Sequence, residues 1–72
     1  MLILDTKKLL CPLPVIRLGE AMLKAKIGDE ITILASDYGV LHDIPAWCNV
    51  HNQEVLSIDD GDVIKIVVKK IE

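Results

Sequence analysis

Two cysteines and two histidines, Cys11, Cys48, His42 and His51, are this sequence's candidates for thiol nucleophile or soft metal-ligand chemistry. Cys11 stands in the stretch LLCPLP (9–14), between two leucines and two prolines. A cysteine becomes a nucleophile as its thiolate, which a helix N-terminus and nearby cations favour. The residues after Cys11 form such an N-terminus. Pro12 fits the first helical position, where a missing N–H has no intrahelical partner, and Pro14 the third, where it is also spare. Because the residue before a proline is pushed towards extended backbone, Cys11 suits the N-cap. Two prolines then stiffen the helix entrance with the thiol at the positive end of its dipole. Lys7 and Lys8 add cationic charge a few residues away. The competing reading is structural: a cysteine among leucines is commonly a small buried hydrophobe.

The other three residues make weaker constellations. Cys48 and His51 are three apart, and with Cys11 and His42 they add up to a Cys2His2 set. The separation of Cys11 from Cys48 matches no zinc-finger spacing, so no metal is expected. Cys48, next to Trp47, reads as a core residue, His42 as solvent-facing and His51 as core-edge. Asp5 caps or ends the first strand.

The elements that must position Cys11 follow in the order strand, helix, strand, helix, strand, strand. MLILD (1–5) is a short apolar run. Residues 12–26 have a helical period, with Val15, Ile16, Leu18, Gly19, Met22 and Leu23 on one face. Arg17, Glu20 and Lys24 lie opposite, with Glu20 and Lys24 spaced as an i,i+4 ion pair. Gly19 in the apolar stripe would let this helix approach a sheet, and Gly28 stops it. EITILAS (30–36) is a β-branched central strand. A second helical segment spans about 38–51, with Val40, Ile44, Trp47 and His51 on a shared face. Pro45 leaves two starts open: Asp37 caps a helix that kinks at Pro45, or Asp43 is the N-cap and Pro45 lies in the first turn. Residues 53–58 and 63–71 are strands joined by the turn Asp59-Asp60-Gly61-Asp62, with Ile64, Ile66 and Val68 on the buried face. Right-handed crossovers place both helices on one face of a four-stranded mixed sheet. The expected fold class is therefore α+β, a βαβαββ two-layer sandwich, built as a single domain over 1–72.

Composition narrows the function classes. Seventy-two residues with no Phe, one Trp and one Tyr require an aliphatic core. The net charge of −3, with both signs interleaved, argues against nucleic acid as a direct ligand, which wants a concentrated basic face. No run approaches the ~18 apolar residues of a membrane span, and the start lacks a signal peptide's pattern, so a cytoplasmic protein without membrane contact is expected. Two cysteines are too few for a secreted disulfide scaffold.

With these residues in place, the chain resembles the TusA/SirA-like sulfur carriers, or sulfurtransferases, over essentially its whole length. The resemblance rests on CPLP, which matches the family's Cys-Pro-x-Pro motif six residues after Asp5, and on DIPAWC (43–48) in the second helix. The chain departs from the family at Lys8, where Gly is usual, and at Ser36-Asp37-Tyr38, where Asp-Asp-Pro is common. The resemblance implies a fold similar to the C-terminal domain of translation initiation factor three. It implies a sulfur relay in which Cys11 carries sulfur as a persulfide, supported by Pro12 and Pro14, with no cofactor. The partners implied are a protein donor, a cysteine desulfurase or a rhodanese-like protein, and a protein acceptor. Destinations of the sulfur in such a relay include transfer-RNA thiolation. Leu9, Leu10 and Leu13 around the thiol, with Lys8 and Arg17, are the expected docking residues for an acidic partner. The alternative function is a non-catalytic interaction or regulatory module on the same fold, with Cys11 structural.

Overall fold

Alternating Ile, Val and Ala side chains in two central strands face two amphipathic helices, and that contact organises the molecule. The computed structural model describes residues 2–72; Met1, counted above in the first strand, lies outside the described residues. The elements are β1 (Leu2–Thr6), α1 (Leu13–Lys24), β2 (Glu30–Ala35), α2 (Val40–Val50), β3 (Glu54–Asp60) and β4 (Ile64–Lys69). The sheet order is β1-β2-β4-β3. β1 and β2 are parallel, with Leu4 opposite Ile33, whereas β4 runs antiparallel to both β2 and β3. This is the mixed four-stranded sheet and α+β class that the strand and helix order implied.

One cluster forms the core: Ile31, Ile33 and Ala35 of β2, Ile64, Ile66 and Val68 of β4, Leu18, Ala21 and Met22 of α1, and Val40, Ile44 and Cys48 of α2. Both helices therefore cover the same face of the sheet. Burying each large aliphatic side chain contributes about 1.5–3 kcal/mol, which these stacked rows supply in place of aromatics.

Several expectations are corrected in detail. The buried stripe of α1 is Pro14, Leu18, Ala21 and Met22, at i, i+4, i+7 and i+8. Centring the wheel on Val15 rotated it away from this line: Ile16 is 48% exposed and Leu23 86% exposed. Gly19 lies against α2, not the sheet, for a Cβ there would come 3.7 Å from Trp47 Cζ2. Glu20 pairs with Arg17 at 2.9 Å and not with Lys24. The helix ends at Lys24, before Gly28, because Ala25 turns to extended backbone and Lys70 Nζ donates to the carbonyls of Met22 and Ala25. Gly28, at φ +99°, serves instead the turn into β2, its N–H bonded to Lys70 O. On α2 the buried line is Val40, Ile44 and Cys48, while Trp47 is half-buried and stacks on an exposed His51 at 4.3 Å. Asp59 and Asp60 pair with Lys65 and Ile64, so the final turn is shorter than the tetrapeptide expected.

Candidate functional site

Parallel β1 and β2 end side by side, and the loops that follow their carboxyl ends meet there, the usual location of sites in sheets with parallel strands. The loop after β1 contains Cys11. The loop after β2 contains Ser36 and Asp37 and leads into α2. The two are tied by Ser36 Oγ, which donates to the carbonyl of Lys7, and by the Cys11 N–H, which donates to Asp37 Oδ2 at 2.8 Å. Asp37 Oδ1 also accepts the Gly39 N–H at 3.0 Å, which closes the turn into α2.

Cys11 is exposed and free. The helix begins at Leu13 with Pro12 as its N-cap residue, so Cys11 precedes the cap by one position and Pro14 is at the second helical position. Pro12 is exposed, and the Cys11–Pro12 peptide is cis. Pro14 is fully buried, a role beyond stiffening the entrance.

The electrostatics of the thiol reverse the expectation of a favoured thiolate. Cys11 Sγ donates to Asp43 Oδ2 on α2. That hydrogen bond, followed by partial desolvation and the charges of Asp43 and Asp37, pushes the Cys11 thiol above its ordinary value. A carboxylate accepting S–H favours the protonated form, and a thiolate beside two carboxylates is repelled. Of the two cations expected to help, Lys7 Nζ is 3.8 Å from Asp5 and Lys8 lines a groove with Asp5. Asp37, by contrast, is held below the usual carboxylate range by the N–H groups of Cys11 and Gly39.

Of the two starts left open for the second helix, the earlier is realised. α2 begins at Val40 after Gly39, with Pro45 inside it and Asp43 in its first turn, not at its cap. Asp43 is thereby free to reach Cys11. Asp37 and Asp43 are the residues the motif-based reading missed as parts of the site. Their signal was topological, since the loops after two adjacent parallel strands must lie at the same edge.

Lys8, Leu9 and Arg17 line one open groove of about 530 Å3 together with Asp5 and Lys7. Leu10 and Leu13 flank Cys11 in the chain but do not line that groove; Leu10 is 72% and Leu13 40% exposed. Leu9 is half-buried. Cys48 lies in the core, 1% exposed, and burial pushes its thiol up to about 11. Among the described residues no three His, Cys, Asp or Glu side chains gather as metal ligands, and no helix is long and apolar enough to cross a membrane.

An exposed thiol on a small two-layer domain, held between two loops, is suited to exchange with a sulfur atom on another molecule. Comparison with known proteins points the same way. The family model "Sulfurtransferase TusA" matches residues 2–70. YrkI of Bacillus subtilis (strain 168) is 33% identical over 69 residues, covering 94% of this chain and 92% of its own. The sulfur carrier protein TusA of Buchnera aphidicola subsp. Baizongia pistaciae is 32% identical over 62 residues, covering 86% of this chain and 78% of its own. The crystal structure of a SirA-like protein from Desulfitobacterium hafniense superposes with a TM-score of 0.85 over 100% of both chains at 21% identity, a likeness of fold.

Proposed function

The chain belongs to the TusA family of sulfurtransferases, and on that premise we propose that it is a sulfur relay in which Cys11 accepts and passes on sulfane sulfur. A sulfur-carrier role is what the family and the named relatives have in common. The observation that carries the finer reading is the exposure of Cys11 beside a core-locked Cys48: one of the two thiols is open to a partner.

The reaction balances without a cofactor. Cys11 gives up its proton and its thiolate attacks the outer sulfur of a donor cysteine persulfide. A new S–S bond forms to Cys11. The S–S bond to the donor's inner sulfur breaks, and its electron pair leaves with that sulfur as a thiolate. The proton shed by Cys11 neutralises the leaving thiolate, and nothing is oxidised or reduced overall. Delivery is the same exchange run towards an acceptor thiol, so it needs access and thiolate character more than a fixed base.

The partners in this reading are a protein donor, of the cysteine desulfurase or rhodanese type, and a protein acceptor. Leu10 and Leu13 beside the thiol, and the groove of Lys8, Leu9 and Arg17, are the docking surface. Residues 1–72 act as one domain, in the cytoplasm. A transfer assay tests the reading. The chain loaded with labelled sulfur, freed of excess donor and mixed with a rhodanese domain bearing a free cysteine, should pass the label on. Label that stays on the chain, or never loads, contradicts it.

A further inference from the structure

Asp43 is in the first turn of α2, yet it caps nothing and pairs with no cation among the described residues. Its Oδ2 instead accepts the Cys11 S–H across 32 positions of sequence. We propose that Asp43 is a specificity-determining residue that keeps the hydrogen on the Cys11 sulfur in the undocked chain, so that small electrophiles and small persulfides react slowly there. The proposal rests on the reading of Cys11 as the sulfur-bearing residue.

The thiol meets charge from two sides. Asp43 faces it from α2, and Asp37 from the loop before α2, anchored through the Cys11 N–H. The cations of its own loop and helix are turned away, Lys7 to Asp5 and Arg17 to Glu20, while Lys8 lines the groove with Asp5. A carboxylate is a poor proton sink for a thiol, since its conjugate acid is several pK units stronger. As a base it would gain little, but as a restraint it is well suited. It stabilises S–H by accepting its hydrogen bond, and it opposes S⁻ by its charge. The raised thiol of Cys11 has this contact as its largest cause. A carrier that must take up sulfur only from a docked donor gains from a thiol that is inert in free solution.

The restraint and the base make opposite predictions for one substitution. The full chain, wild type and Asp43→Asn, is treated with iodoacetamide from pH 6 to 10, and Cys11 modification is followed by peptide mass. Loading by glutathione persulfide at pH 7 is measured in parallel. With Asp43→Asn both rates at pH 7 should rise roughly threefold or more, and the alkylation midpoint should move to lower pH, with the high-pH plateau unchanged. An unmoved midpoint, or a slower reaction at pH 7, overturns the proposal. A measurement on the wild type guards against a variant that fails to fold. The Cys11 midpoint in the folded chain should lie above that of the same thiol in the urea-unfolded chain, and one at or below it also overturns the proposal. Alkylation does not depend on sulfur transfer, so failure of the relay reading would show separately, as sulfur that does not stay on Cys11.

Discussion

The backbone N–H of Cys11 donates to Asp37 Oδ2 at 2.8 Å and so joins the loops that follow β1 and β2. Asp37 uses its other oxygen for the Gly39 N–H, and its carboxyl titrates below the ordinary 3.8 because both contacts favour the charged form. The folded chain thus prefers the carboxylate more than the unfolded chain does. The stabilisation is present above pH about 4 and is lost as pH falls through the lowered folded value. Asp37→Asn should therefore lower the urea midpoint at pH 7 and flatten its decline between pH 4 and 2. An unchanged acid decline in the variant would mean that this contact does not hold the loops.

Pro14 is fully buried on the same stripe of α1 as Leu18, so its ring is part of the fold as well as of the motif. Pro14→Ala removes two buried methylenes and frees the unfolded chain, at a combined cost of about 2 kcal/mol. Urea unfolding at pH 7 measures this. A loss under about 0.5 kcal/mol, the range of ordinary surface changes, would show that the ring is not packed as described.

How far the sequence could be read depended on the range of the interaction. Strand periodicity in Ile64, Ile66 and Val68 and the β-branched run of β2 are local, and the element order with crossover handedness led to the sheet. On α1 the wheel finds Leu18 and Met22 but wrongly buries Ile16 and Leu23, because reading Pro14 as an entrance residue and not as an apolar one shifts the stripe. Exposure of Cys11 was legible from its motif. Its hydrogen bond to Asp43 was not, because it joins residues 32 apart through the packing of α2, and Pro45 obscured where that helix starts. Local reasoning weighs the dipole and the lysines and misses two carboxylates, Asp37 of the loop after β2 and Asp43 of α2.

Cys48 supplies a pH dependence of opposite sign to that of Asp37. Its buried thiol is raised from 9.0 to about 11 by desolvation. Between these values the unfolded chain loses a proton that the folded chain keeps. Stability contributed by the neutral thiol is complete below pH 9 and declines by at most about 1.4 kcal/mol per pH unit above it. Comparing urea midpoints at pH 8 and 10.5 in wild type and Cys48→Ala isolates this part, since the other alkaline groups are common to both. Equal declines in the two chains would show that the Cys48 thiol is not protected.

Leu13 is partly exposed in the first turn of α1, two positions along the chain from Cys11. Leu13→Glu should leave the unfolding free energy within about 1 kcal/mol of wild type, since the side chain is not core. Loading from glutathione persulfide should be unaffected, whereas loading from a persulfide-bearing protein donor should slow by about tenfold, as expected when an anchor at an interface centre becomes charged. Equal slowing with both donors would remove Leu13 from the docking surface.

In the proposed relay Cys11 bears the sulfur. The reduced chain, its Cys11→Ser variant and its Cys48→Ser variant are each incubated with a persulfide donor, freed of excess and weighed intact. Wild type and Cys48→Ser should gain the mass of one sulfur atom, removable by a thiol reductant, and Cys11→Ser should gain none. A gain that persists in Cys11→Ser, or no gain in any chain, would contradict the relay and leave Cys11 as a structural residue of an interaction module.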